Sequence, residues 1–200
     1  MSRLAFPRGQ AAIVSAATHA IGEAPGFSSM ELAAQASVKA LSAVGLSPAQ
    51  VDGLFVCLPT DFLSGLGLAE YLGIRPRLTN NNRVGGSSFQ TYVMWAALAL
   101  ATRQCDVALI AYGSNQRSAA GKLVRSLMPS PYEAPYKALV PASAYALAAA
   151  RHMHEFGTTR EQLAEVAESA RGWAQLNPVA FMREPRRQAG HPRGRSRGPA

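Results

Sequence analysis

An α/β fold with a buried, layered sheet is predicted for this 200-residue chain by three observations. Short apolar runs of strand length alternate with longer stretches of helical period over residues 1–114. The runs at residues 53–58 and 106–112 are apolar nearly throughout, the pattern of strands covered on both faces. Apolar residues make up 48% of the chain and charged residues 16%, with Ala and Gly abundant, which suits closely packed helix–sheet layers.

Residues 11–17 read as a first buried strand. Ser28-Ser29-Met30-Glu31 has the spacing of a capping box, with Ser28 as N-cap and Glu31 reaching back. The helix it opens carries Leu32, Ala33, Ala36, Ala40, Leu41 and Val44 near a 3.6-residue period, and Gly45 ends it. Residues 53–58 form a second strand, 61–73 a short glycine-containing helix, 78–84 a third strand, 87–103 the longest apolar helix and 106–112 a fourth strand. The expected order is βαβαβαβ.

Beyond residue 114 the chain changes character. Residues 113–138 are rich in Ser, Pro, Tyr and basic side chains without a period, and are longer than an ordinary connection. Residues 141–156 are an alanine-rich helix ended by Gly157. Thr158 and Glu161 have capping-box spacing for a further helix reaching about Leu176, broken by Asn177-Pro178. The expected division is an α/β core at 1–114, a loop and helical cap region at 115–184, and a disordered basic tail at 185–200.

The formal charge of +8 overstates the basicity of the body. Five arginines and no acid lie between residues 185 and 200, which leaves +3 for the rest. A basic end attracts polyanions without specificity, so no specific nucleic-acid partner is expected. No apolar run reaches the ~20 residues that span a bilayer, and the N-terminus lacks a secretory pattern; a cytoplasmic protein is expected. Cys57 and Cys105 lack metal-ligand spacing and read as buried thiols rather than a disulfide.

The stretch that carries chemistry is Asn82-Arg83-Val84-Gly85-Gly86-Ser87-Ser88-Phe89. It follows a strand and opens a helix, where backbone N–H groups and a partial positive charge meet a ligand. It resembles the nucleophile loop of the thiolases, Asn-Arg-Val-Cys-Ala-Ser-Gly, with Gly85 in the cysteine's place. The segment from Ala148 to Ala164, including His152-Met153-His154-Glu155-Phe156-Gly157, and Arg171 with Asn177-Pro178-Val179-Ala180 extend the likeness. Together they resemble the lipid-transfer-protein branch of the thiolase superfamily, relatives of the sterol-carrier-protein thiolases, over residues 8–184.

The resemblance implies a thiolase-like layered fold of which this chain holds an incomplete N-terminal half, and a dimer in full-length relatives. It implies a CoA thioester of a lipid or steroid as substrate, with no cofactor. Relatives with a Val-Gly-Gly-Ser-Ser-Phe loop cleave carbon–carbon bonds of steroid side-chain CoA thioesters by retro-aldol chemistry, using second-half tyrosines and an OB-fold partner protein. The alternatives are an acyltransferase-type thiolase relative, a non-catalytic acyl-CoA or lipid-transfer module, and an inactive fragment.

Gly85 cannot be acylated, so no catalytic residue is assigned. Ser87 and Ser88 are the nearby hydroxyls, but a serine nucleophile needs an adjacent base and none stands beside them in sequence. The plainer role for Ser87 is helix N-cap. Gly85, Gly86, Ser87 and Ser88 form the expected substrate-binding set. His152 and His154, two apart on a helix, do not pair as metal ligands. Tyr132, Tyr136, Tyr145 and Phe156 are candidates to line a lipid pocket or to anchor loops, and Trp173 reads as a packing residue. After Pro185 the family pattern stops abruptly, as after a frameshift or truncation. Gly190-His191-Pro192-Arg193-Gly194-Arg195-Ser196 matches a second-half thiolase motif, but lacks a surrounding strand or helix and reads as chance.

Overall fold

Ser28 starts the first helix as its residue type dictates. Its hydroxyl accepts from the Glu31 N–H at 3.1 Å, and the Glu31 carboxylate accepts from the Ser28 N–H at 2.7 Å. That second bond, then the Ser28 hydroxyl, holds the Glu31 carboxyl below its ordinary pKa. In this computed structural model, which describes residues 6–59, 61–118, 131–137 and 141–184, the helix is α1 (Ser29–Ser42). There follow β1 (Gly53–Val56), α2 (Ser64–Leu72), β2 (Leu78–Asn80), α3 (Ser88–Ala101), β3 (Ala108–Ala111), α4 (Ala142–Phe156) and α5 (Arg160–Leu176).

The three strands form a parallel sheet in the order β2-β1-β3. Gly53 is in register with Leu78 on one side and Ala108 on the other. Alternation along β1 divides the core. Leu54, Val56 and Leu58 pack with Leu109 and Ala111 against Ala33 and Leu41 of α1 and Leu68 of α2. Phe55 and Cys57 pack on the other face against Tyr92, Ala96 and Ala99 of α3. The sheet is thus covered on both faces, as its apolar runs predict.

At the amino ends of the strands, Asp52 ties the connections together. Its carboxylate accepts from the N–H groups of Asp106 and Val107, both at 2.9 Å, and meets the Arg77 guanidinium at 3.4 Å. Burial works to raise its pKa, but these amides and the arginine outweigh it and the carboxyl stays below its usual value. Burial, and then the charges of Asp52 and Asp106, raise the nearby Cys105 thiol. Cys57 and Cys105 are both free and buried, as expected.

The order among the described residues is αβαβαβ, not βαβαβαβ. Residues 11–17 form no strand, and Ile13 and Val14 are 78% and 69% exposed. The physical reason is the absence of a ladder: among the described residues no backbone hydrogen bond joins them to a neighbour. The strand expected at 78–84 shrinks to β2, because the chain turns away at residues 81–84 to enter the loop before α3.

The chain divides into two compact units, Met1–Ser126 and Leu127–Ala200. In the second, α4 ends at Gly157, which takes the left-handed conformation at φ 67° that favours glycine. Thr159 rather than Thr158 caps α5, exchanging bonds with Gln162 in a capping box. Neither helix buries a residue among those described. Trp173, expected to pack, is therefore 73% exposed, and Tyr132, Tyr136, Tyr145 and Phe156 are exposed as well. No helix among the described residues is long and apolar enough to cross a membrane. The expectations for residues 185–200 lie outside the described residues, as does part of the long loop, at 119–130.

Candidate functional site at the carboxyl ends of the strands

All three strands end at one edge of the sheet, and the loop at residues 82–88 lies there, between β2 and α3. Parallel α/β sheets bind ligands outside this edge. Gly85–Ser87 form one turn of 3₁₀ helix that runs into α3. Gly85 sits at φ +74°, in the left-handed region that a side chain disfavours. Among the described residues, a Cβ added at Gly85 or Gly86 would touch nothing within 4 Å, so none of them closes the space in front of the loop.

The two serines behind this opening differ. Ser88 is fully buried, and its hydroxyl donates to the Gly85 carbonyl at 2.7 Å and accepts from the Val84 N–H at 3.0 Å. The Ser88 hydroxyl thus gives its proton and one lone pair to the loop. Ser87 holds the N-cap position of α3, but its hydroxyl makes no capping bond. The expected capping bond is therefore corrected: Ser87 sits at φ −83° and ψ 1°, not in the extended conformation of a bonded cap, and Ser88 ties the turn instead. Ser88's own N–H bonds the Gly85 carbonyl. At most the amides of Gly85, Gly86 and Ser87 remain for an anion or a developing oxyanion.

Tyr92 supports the loop from beneath. Its hydroxyl lies 2.5 Å from the Asn82 carbonyl and 3.3 Å from the Val56 carbonyl, joining the ends of β1 and β2 to α3. Burial, then the neighbouring Cys57, pushes its pKa up to about 12, so the phenol remains a donor at neutral pH. The Arg83 guanidinium donates to the Leu58 carbonyl at 2.8 Å, and Asn81 donates to the Phe62 carbonyl at 3.2 Å. Phe89 continues the support with edge-on contacts to Tyr92 and to Tyr112 beyond β3, at ring separations of 6.0 and 5.1 Å.

Tyr92 and Arg83 received no role from sequence. The available signal was a tyrosine within an otherwise apolar helix, since a buried hydroxyl demands a partner. His152 and His154 lie exposed on α4 in the second unit, where the His152 ring faces the Thr158 hydroxyl at 2.9 Å. No group of His, Cys, Asp or Glu among the described residues could hold a metal.

No family model matches the chain. It is 32% identical over 185 residues to the 17-hydroxy-3-oxo-4-pregnene-20-carboxyl-CoA lyase of Mycobacterium tuberculosis. It is 33% identical over 185 residues to a steroid side-chain-cleaving aldolase of Thermomonospora curvata. Each alignment covers 86% of this chain and 47% of the relative. Among solved structures, the Ltp2-ChsH2(DUF35) aldolase matches with a TM-score of 0.61 and 31% identity, over 84% of this chain and 45% of that one. The chain thus spans about half the length of the curated relatives it matches, and those relatives are steroid side-chain lyases and aldolases.

Proposed function

We propose that this chain is the thiolase-like N-terminal portion of an aldolase that cleaves a carbon–carbon bond in the side chain of a steroid acyl-CoA thioester. The observation that carries this reading is the loop itself. The chain is similar to two lyases of that class, and at the carboxyl edge of its sheet stands an open glycine pair, Gly85-Gly86, with no side-chain nucleophile.

In a retro-aldol step the β-hydroxyl of the acyl-CoA loses its proton, and its electrons form a ketone as the bond between the α and β carbons breaks. The acyl-CoA leaves as an enolate that then takes up a proton. Neither an acyl-enzyme nor a redox cofactor is required. What such a step needs from the loop is stabilisation of negative charge on the thioester oxygen, and amides at the start of a helix provide it. The openness at Gly85 and Gly86 leaves room for the thioester and the bulky ring system beside it. Residues 82–89 carry no side-chain base, so the reading takes the acid and base groups from outside the loop. A protein partner, which we take to be an OB-fold protein, fits this reading; the matching solved structure is named as a pair, Ltp2-ChsH2(DUF35).

The test is an assay with a 17-hydroxy steroid side-chain CoA thioester, following release of the ketone, with this chain alone and after addition of an OB-fold partner and a C-terminal half from a relative. The reading expects binding of the thioester by this chain, no turnover alone and turnover in the reconstituted assembly. Thiolysis of an acyl-CoA, or an acyl adduct on the chain detected by intact mass, would overturn it.

A further inference from the structure

A chain of four aromatic rings runs from the core to the surface beside the Gly85 loop. Phe55 of β1 stands 6.1 Å from Tyr92, Tyr92 stands 6.0 Å from Phe89, and Phe89 stands 5.1 Å from Tyr112, ring centre to ring centre. The alternation of β3 explains the last contact. Leu109 and Ala111 join the layer of α1 and α2, whereas Ala108 and Ile110 face α3. Tyr112, the first residue past the strand, continues the second set and meets the edge of Phe89, in the first turn of α3.

The three tyrosines of the first unit differ in what their hydroxyls can do. Tyr92 is buried, and its hydroxyl serves the Asn82 and Val56 carbonyls. Tyr71 lies in the last turn of α2, which leads to the amino end of β2, at the opposite edge of the sheet. Tyr112 is half-exposed at the carboxyl edge with its ring set against Phe89, and among the described residues its hydroxyl has no hydrogen-bond partner.

Resting on the aldolase reading above, we infer that Tyr112 is a substrate-contacting residue whose hydroxyl hydrogen-bonds the β-hydroxyl of the acyl-CoA, the oxygen at the bond that breaks. The amides of Gly85, Gly86 and Ser87 take the thioester oxygen, and the β carbon lies two carbons farther along the substrate. A contact to its hydroxyl therefore comes from a group that reaches beyond the backbone of the loop. Ser88 is fully buried and already gives its proton to the Gly85 carbonyl. Ser87 carries its hydroxyl one carbon from its own backbone. Tyr112 carries its hydroxyl at the far end of a ring, one aromatic contact away from the first turn of α3. Packing on Phe89 holds that ring in advance, which reduces the ordering cost of the bond. The bond orients the β-hydroxyl, whose proton still passes to a base outside the loop.

Calorimetric binding of two ligands to the full chain tests the contact: a 17-hydroxy steroid side-chain CoA thioester, and the same thioester without that hydroxyl. The wild type is expected to prefer the hydroxylated ligand by about 3–10-fold, the worth of one neutral hydrogen bond. Tyr112→Phe keeps the ring on Phe89 and should abolish that preference, with unchanged affinity for the deoxy ligand and an unchanged urea midpoint. A preference that survives in Tyr112→Phe, or disappears in Ser87→Ala instead, overturns the inference and leaves the aldolase reading intact. So does an equal loss of affinity for both ligands in Tyr112→Phe, or a wild type that binds both ligands equally. A lower urea midpoint for Tyr112→Phe would give the hydroxyl a partner within the protein and overturns the inference as well. If the wild type binds neither ligand, the aldolase reading itself fails and the inference falls with it.

Discussion

The Tyr92 hydroxyl meets the Asn82 carbonyl at 2.5 Å, ten residues back along the chain, and this one bond fixes where the loop leaves β2. Tyr92 is itself fully buried, so its hydroxyl cannot turn to water. Tyr92→Phe should cost about 1 kcal/mol, the net worth of a hydrogen bond plus an orphaned carbonyl. The phenol also sets an alkaline limit. A tyrosine with a folded pKa near 12, above its ordinary 10, contributes stability that is complete below pH 10 and declines as pH rises toward 12. Urea midpoints taken across that window should fall for the wild type and fall less for Tyr92→Phe. Equal declines would place the alkaline limit elsewhere.

Adjacent serines at the loop should behave differently. Ser88→Ala removes the bond to the Gly85 carbonyl and leaves the Val84 N–H without its acceptor, a loss of about 1–3 kcal/mol at a buried position. Ser87→Ala removes no capping bond and should stay within about 0.5 kcal/mol of wild type. Thermal unfolding of both variants checks this. A larger effect at Ser87 would show that its hydroxyl, not that of Ser88, holds the turn.

The contrast marks what sequence could and could not reveal. The Ser28–Glu31 capping box was legible because its partners lie three residues apart and depend on nothing distant. The two-sided burial of β1 and the free, buried Cys57 and Cys105 were legible from apolar runs. The role of Ser88 was not, because two serines stand side by side and only the 3₁₀ turn at Gly85–Ser87 decides between them. Tyr92 reaches Val56 across 36 positions, a pairing fixed by the register of the sheet. Residues 11–17 have the composition of a strand, but a strand exists only where its hydrogen bonds find a partner.

Asp52 governs the acid side of stability. Its carboxylate accepts from two backbone amides and pairs with Arg77, and its pKa lies below the ordinary value of 3.8. The stability it contributes is therefore present above that value and lost as pH falls through the lower, folded pKa. Asp52→Asn keeps the shape and the one oxygen that both N–H groups share, but a neutral amide oxygen is a weaker acceptor than a carboxylate and no longer attracts Arg77. We expect a loss of about 1–3 kcal/mol at pH 7 and a shallower acid limb below pH 4. An unchanged limb would assign the acid dependence to other carboxylates.

Gly113 offers the most sensitive test of how α1 is held over the sheet. A Cβ at this position would stand 1.9 Å from the Ser29 carbonyl oxygen and 2.7 Å from the Ala33 nitrogen. Both atoms are backbone, so no neighbouring side chain can be trimmed to make room, and the first turn of α1 must retreat from β3. That turn is also tied by the Asn115 side chain, which donates to the Phe27 carbonyl at 3.0 Å and meets the Ser29 hydroxyl at 3.4 Å. Retreat would strain or break these bonds as well. Gly113→Ala should therefore cost about 3 kcal/mol, with faster amide exchange confined first to α1, while Gly172→Ala, where a Cβ meets nothing, should be neutral or slightly stabilising because alanine is the better helix former. Equal urea midpoints for the two variants would mean that α1 does not rest on Gly113 in solution.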